Sequence, residues 1–229
     1  MALDPGVILN NLDYLLWGRA PEGEIGGLLL SVIMALWAGV LSILIGAPLG
    51  VAGWLHPTLA RRLLFPLADL IRAVPLLFLI FWFYFLIPLL VGGTAPGAVM
   101  VVVALTAFNT ASVMYLVVAG FRALPAGQSE AAHALGFTPG QIVRRILAPQ
   151  ALPNILPSAL GLGVMLIKDT SLAFIVNVPE LTTVAGQVNG RLQVYPAEIF
   201  LTVGALYFLV CGALVLLANR FNRNRGVRR

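Results

Sequence analysis

Lys168 is the only lysine in the chain, and it stands beside Asp169 in a stretch, Ser158 to Val178, that holds no other charge. An ionisable residue inside an apolar span is costly and is a functional candidate by default. At 1.5 Å per residue Asp169 lies roughly 16 Å along a helix from Ser158. Helical neighbours point about 100° apart, so the two are not a simple face-to-face pair. Two readings stand: one residue faces a pore and the other a structural partner, or both are satisfied between subunits or by backbone. A zwitterionic solute needs an acceptor for its ammonium and donors for its carboxylate. Asp169 suits the first. Arg72 is a candidate donor, the alternative being a side chain that snorkels to the interface. Thr170 and Ser171 offer hydroxyls, or bond back to their own helix.

Other chemistry is missing. With one lysine, in Ile-Lys-Asp-Thr, the phosphate-binding pattern Gly-x-x-x-x-Gly-Lys-Ser/Thr cannot occur. His56 and His133 are far apart, and neither His-Glu-x-x-His nor Gly-x-Ser-x-Gly is present. The single Cys211 excludes an internal disulfide and a cysteine-based zinc site. The chain is therefore expected to be no enzyme and to bind no metal or cofactor.

The elements that must carry these residues are membrane helices. Hydrophobic residues make up 60% of the 229, charged ones only 10%, and mean hydropathy is +0.97. A soluble domain of this length could not hide that much apolar surface. Charge-free runs cover Ile25 to Leu55, Ala73 to Phe121 and Ile199 to Asn219. The second is broken by Gly92-Gly93-Thr94-Ala95-Pro96-Gly97, a turn between two back-to-back helices. With Ser158 to Val178 the count is five spans, each expected to reach the ~20 residues that cross the hydrocarbon core. The expected fold is thus an all-α integral membrane protein with five transmembrane helices. Gly46-x-x-x-Gly50 reads as close helix packing.

Basic residues orient it. Arg61, Arg62, Arg72, Arg122, Arg144, Arg145, Arg220, Arg223, Arg225, Arg228 and Arg229 share one side in a five-span chain; the other has only Arg19 and Arg191, with Asp4, Asp13, Glu22, Glu24, Glu180 and Glu198. The positive side is cytoplasmic, so the N-terminus is outside and the C-terminus cytoplasmic. The net charge of +5 reports on this topology rather than on nucleic acid. The expected organisation is an extracytoplasmic segment 1–24, a permeating domain 25–220 with a cytoplasmic loop 125–157, and a basic tail 221–229. Residues 1–24 lack a basic leader and do not read as a cleaved signal. Within them Pro5 to Trp17 reads as a short interfacial helix or as a partly ordered tail.

The loop is patterned. Ser129 is placed to cap a short helix over Glu130-Ala131-Ala132-His133-Ala134-Leu135, with Gly136 as its left-handed stop. Thr138-Pro139-Gly140-Gln141 has the form of a capping box opening a second helix to about Leu147. Pro149, Pro153 and Pro157 are expected to steer the chain back into the membrane. Two short helices at an angle would make a rigid cytoplasmic knob.

These residues resemble a known family. Glu130-Ala131-Ala132-x-x-x-Gly136, nine residues, then Ile146-x-Ala148-Pro149 is similar to the EAA loop of bacterial ABC importer permeases, with Ala148 where leucine is usual. Ile71-Arg72-Ala73-Val74-Pro75-Leu76-Leu77 resembles the second-span start of the polar amino-acid permeases. Lys168-Asp169-Thr170-Ser171-Leu172 with Val178-Pro179-Glu180-Leu181 resembles their fourth-span signature. Gly127-Gln128 fits, and Trp82-Phe83-Tyr84 with Ile87-Pro88 is similar to the glutamate/aspartate type.

The resemblance implies a type I ABC importer permease fold in the bacterial cytoplasmic (inner) membrane. It implies a second permease subunit in a homo- or heterodimer and separate ATPase subunits that bind ATP and Mg²⁺. A periplasmic or lipid-anchored binding protein would deliver a polar or acidic amino acid. Glu130, Ala131, Ala132, His133, Leu135 and Gly136 would form the helix that couples to the ATPase; the other reading of Glu130 is a solvated first-turn acid. Arg72, Leu162, Lys168, Asp169, Thr170 and Ser171 would line the solute path. Leu162 stands where the subfamily often has Gln or Glu, and Tyr115 and Val118 stand where it has Glu and Arg. Either the solute is less polar than usual, or a partner subunit holds the main site. The alternative class is an ion-coupled secondary transporter or channel with no ATPase partner.

Overall fold

A computed structural model describes residues 5–93 and 95–226; Asp4, Thr94, Arg228 and Arg229, used above, lie outside them. Among the described residues helices dominate, joined by short turns and one minimal hairpin. Helix α1 (Pro5–Trp17) leads into strands β1 (Gly18–Arg19) and β2 (Glu24–Ile25), paired antiparallel with Gly18 opposite Ile25. Then come α2 (Gly27–Leu55), α3 (Pro57–Leu59), α4 (Phe65–Ala73), α5 (Leu76–Val91) and α6 (Gly97–Arg122). The chain continues with α7 (Ala126–Ala134), α8 (Pro139–Ile142), α9 (Ala148–Asp169), α10 (Leu181–Leu192) and α11 (Pro196–Gly226). Pro5 to Trp17 is therefore a helix, as one of the two readings had it.

Among the described residues, four helical stretches are long and apolar enough to cross a membrane: Gly27–Leu55, Gly97–Arg122, Pro139–Val176 and Pro196–Arg220. The fifth departs from expectation. Instead of one straight helix, Pro57–Ala73 and Leu76–Leu90 meet at 94°, and α5 has only 16 residues. The cause is Pro75. A proline drives the residue before it out of the helical region, and Val74 is extended, at φ −82° and ψ 128°. Counting the bent pair as one span gives five. The outward faces are apolar: Leu89, Leu90, Phe208 and Leu216 are among the most exposed large residues, a surface that hydrocarbon rather than water solvates.

The chain divides into two compact units, with the division falling inside four of the helices. Unit 1 comprises Met1–Ala38, Leu76–Leu105 and Val164–Leu214. Its core gathers Leu15 of α1, Leu181, Val184, Ala185 and Val188 of α10, and Ile199 and Val203 of α11. Unit 2 comprises Gly39–Pro75, Thr106–Gly163 and Val215–Arg229. Its larger core joins Val117 and Phe121 of α6 to Ala132 of α7, Ile142, Val143 and Leu147, and Ala151 of α9. Gly46 and Gly50 let α2 close on α6, as expected. A Cβ on Gly46 would stand 2.7 Å from the Thr110 carbonyl oxygen, and one on Gly50 2.7 Å from Val117 Cβ.

Two wide π-type turns interrupt the helices of unit 2, at Ala60–Leu64 and Val143–Leu147. Each is closed by a bond five residues back, Phe65 N–H to Ala60 O and Ala148 N–H to Val143 O. The sequences match: Arg61-Arg62-Leu63-Leu64-Phe65-Pro66 and Arg144-Arg145-Ile146-Leu147-Ala148-Pro149. A proline ring collides with the carbonyl four residues back and has no N–H to give; widening the preceding turn relieves both. This corrects the expectation that the second loop helix ends near Leu147 and that the prolines redirect the chain. The helix continues through the π turn into α9, which holds Pro153 and Pro157 in its interior.

Candidate functional site

The knob in unit 2 is a short helix set against the start of a longer one. Pro125, at φ −59° and ψ 128°, stands at the N-cap of α7 and no side chain caps it. Ser129 is therefore not the cap: the helix starts three residues earlier, and the Ser129 hydroxyl donates to the Ala126 carbonyl at 2.8 Å. The other end is as expected. Gly136 takes φ +81°. Its N–H donates to His133 O at 3.0 Å and the Phe137 N–H to Ala132 O at 3.1 Å, the paired bonds of a Schellman stop. Thr138 then opens α8 with a complete capping box. The Gln141 N–H donates to Thr138 Oγ1 at 3.4 Å, and the Thr138 N–H to Gln141 Oε1 at 3.0 Å.

Of the six residues assigned to coupling, Ala132 is buried against Ile142, Val143 and Leu147 and anchors the helix. Glu130, Ala131, His133, Leu135 and Gly136 face outward. Leu135 is 77% exposed, a large apolar group at the tip of a polar loop. Gln128 Nε2 donates to Gln150 Oε1 at 3.0 Å and so ties α7 to α9.

The proposed path residues fall in both units. Arg72 and Leu162 belong to unit 2; Lys168, Asp169, Thr170 and Ser171 belong to unit 1. Lys168 is exposed and Asp169 half-buried. Asp169 ends α9 and its side chain caps nothing. Thr170 is buried and donates its hydroxyl to Ile167 O at 2.7 Å, so of its two readings the bond back to the helix is the one realised. Arg72 is exposed, with its guanidinium carbon 5.5 Å from the centre of the Tyr115 ring. The Tyr115 hydroxyl donates to Asp69 Oδ1 at 2.7 Å. Asp69 was missed because it lies in a segment read as a cytoplasmic loop; its signal is the three-residue spacing from Arg72, one helical turn.

Unit 1 holds a second polar centre that the sequence reading left unassigned. Glu180 is 0% exposed and caps α10. It accepts from the Thr182 and Thr183 N–H groups, each at 2.8 Å, from the Thr183 hydroxyl at 3.1 Å and from the Tyr207 hydroxyl at 3.2 Å. Ser31 accepts from the Leu181 N–H at 3.2 Å. Burial pushes the Glu180 carboxyl up from its ordinary range, and those four donors pull against the rise. The signal was local after all: an acid just before Leu-Thr-Thr is an N-cap pattern. Nearby, the Tyr14 hydroxyl donates to Gln187 Oε1 at 2.5 Å and the Arg191 guanidinium lies over the Tyr14 ring at 5.2 Å. Both line a cavity of about 210 Å³ that Arg19 and Glu24 also reach.

Known proteins resemble this chain in sequence and in fold. Residues 40–226 match the family described as binding-protein-dependent transport system inner membrane component. The chain is 32% identical over 196 residues to the probable glutamine ABC transporter permease protein GlnP of Bacillus subtilis (strain 168), covering 85% of this chain and 89% of that one. It is 27% identical over 223 residues to the glutamate/aspartate import permease protein GltK of Escherichia coli O6:H1, covering 94% and 95%. Among solved structures, an amino acid ABC transporter crystallised with histidines superposes with a TM-score of 0.81 at 22% identity, covering 98% of this chain and 100% of that one.

Proposed function

The chain belongs to the binding-protein-dependent transport system inner membrane components, and on that premise we propose how it works as the permease subunit of an ATP-driven amino-acid importer. The observation that carries the reading is the knob: a helix fixed at one end by Gly136 and the Thr138 capping box, anchored by Ala132, with Glu130, His133 and Leu135 turned outward. A rigid outward projection with an exposed leucine suits a cleft on another protein. That protein is the ATPase subunit, which holds ATP and Mg²⁺; this chain hydrolyses nothing. Glu130 meets a basic group there, and closure of the ATPase pair is passed through α7 to the spans.

The membrane is the bacterial inner membrane, with the N-terminus outside. A second permease subunit completes the pore, and an extracytoplasmic binding protein delivers the solute. Curated relatives carry names for glutamine and for glutamate/aspartate, which supports a polar or acidic amino acid as cargo. The path runs by Arg72, Leu162, Lys168, Asp169 and Ser171, with Thr170 holding the helix rather than the solute. The test is co-purification from the native host, followed by reconstitution and uptake of labelled glutamine and glutamate. An ATPase subunit should co-purify and uptake should require ATP. Uptake driven by an ion gradient with no ATPase present would favour the secondary-transporter class instead.

A further inference from the structure

Tyr115 lies seven residues before Arg122, the end of α6, and so about 10 Å along the helix from that end. At that depth it collects an unusual set of neighbours, all within unit 2. Phe65 stacks on its ring at 5.3 Å and 23°. Its hydroxyl donates to Asp69 at 2.7 Å and also approaches the Phe65 carbonyl at 3.4 Å. The Arg72 guanidinium sits over its ring at 5.5 Å. Asp69 and Arg72 are both exposed and stand one turn apart on α4. Among the described residues they form no ion pair within 4 Å, although a one-turn spacing allows it. Tyr115 contacts both, the acid through its hydroxyl and the guanidinium through its ring. Asp69 Oδ2 and the N–H fork of Arg72 are left without a partner among the described residues.

An exposed acid and an exposed guanidinium beside a span are costly wherever they face hydrocarbon. Two opposite charges held near one another but unpaired match a ligand that carries both. We propose that Asp69, Tyr115 and Arg72 form a subsite for the ammonium and carboxylate of an α-amino acid, rather than for its side chain. The ammonium is taken by Asp69, the carboxylate by the planar fork of Arg72, and Tyr115 positions both. The proposal rests on the amino-acid importer reading, and it places the acid for the ammonium on α4 instead of at Asp169.

The test measures equilibrium binding of labelled glutamine, glutamate and arginine to the solubilised permease–ATPase complex, without binding protein. The competitor is glutaramic acid, which is glutamine without its α-ammonium. The wild type should bind the amino acid it imports and reject glutaramic acid. Asp69→Asn should weaken binding about tenfold or more and lose that discrimination. Tyr115→Phe should weaken binding about threefold, since it removes only the positioning bond. Arg72→Gln should weaken both ligands alike. If Asp69→Asn fails to assemble, Tyr115→Phe, which keeps the ring contacts, decides alone. Unchanged binding and discrimination in an assembled Asp69→Asn complex, or in Tyr115→Phe, overturns the subsite. A wild-type complex that imports amino acids yet binds none itself also overturns it, while leaving the importer reading intact.

Discussion

Two short helices of this protein are held in opposite ways. Helix α7 is fixed mainly at its C-terminal end, where the Gly136 stop and the Thr138 capping box involve residues at most five apart, with one exposed side-chain bond, Gln128 to Gln150, beside them. Helix α10 is fixed by a buried acid that reaches across the chain. Glu180 meets Tyr207, 27 residues on, and Ser31, 149 residues back. The first helix has its outward face free and is suited to move as a unit with whatever seizes it. The second is fastened to α2 and α11 and is suited to stay with them. A locally capped helix with an open outer face makes a handle, and a buried carboxylate bonded across the chain makes an anchor.

The sharpest way to break the comparison is Gly136→Asp. At φ +81° a residue with a Cβ costs roughly 1 kcal/mol or more, and the Schellman bonds that stop α7 go with it. Uptake should fall by more than tenfold while the protein is still inserted and Ala132 still packs. Uptake and substrate-stimulated ATPase activity at wild-type levels would mean that α7 is an ordinary surface helix.

Glu180→Ala comes next, and acts on stability rather than coupling. It strands the N–H groups of Thr182 and Thr183 and removes one of the partners of the Tyr207 hydroxyl. Loss of the cap together with unpaired donors should cost about 2 kcal/mol or more. The expected readout is a lower melting midpoint and earlier proteolysis around α10, with binding of the ATPase subunit unchanged. Equal loss of ATPase binding would show that anchor and handle are not separable.

Thr138→Ala should do less. It removes one side-chain acceptor from the Gln141 N–H at an exposed site, worth about 1 kcal/mol. Hydrogen exchange should speed up over residues 138–142, with uptake reduced by a few-fold at most. No change in exchange would assign the start of α8 to burial of Ile142 instead of to the capping box.

The contrast also explains what could be read in advance. Four of the spans, the Gly92–Gly97 break, the Gly136 stop and the Thr138 box are set by composition or by residues within one turn, and were legible; the bend at Pro75 in the remaining span was not. The Arg-Arg π turns were not, because a proline inside an apolar helix signals a break or a kink equally well. Pro75 ends its helix, whereas Pro153 and Pro157 are absorbed. Nor was the Asp69–Tyr115 bond, which spans 46 residues. Asp69 read as loop because charge, not geometry, set the boundary of the second span. Arg72 was found because it belongs to a recognisable string, and its stacking partner was found only by folding the chain.

The smallest expected effect concerns pH and sharpens the anchor side alone. Glu180 has its carboxyl raised above the ordinary 4.5 because burial disfavours the anion more than its donors favour it. A carboxyl whose folded value lies above its unfolded one holds its proton more tightly in the folded state. Stability then rises as pH falls through the folded value and levels off below about 4.5. Glu180→Gln has no proton to gain and should lack that rise. The melting midpoint of the wild type minus that of Glu180→Gln should therefore grow as pH is lowered from neutrality towards 4.5. If it shrinks instead, the four donors outweigh burial and the anion is the preferred form. The anchor would then be a charge-assisted cap that acid loosens, and α10 would be the part of the molecule that senses an acidic exterior.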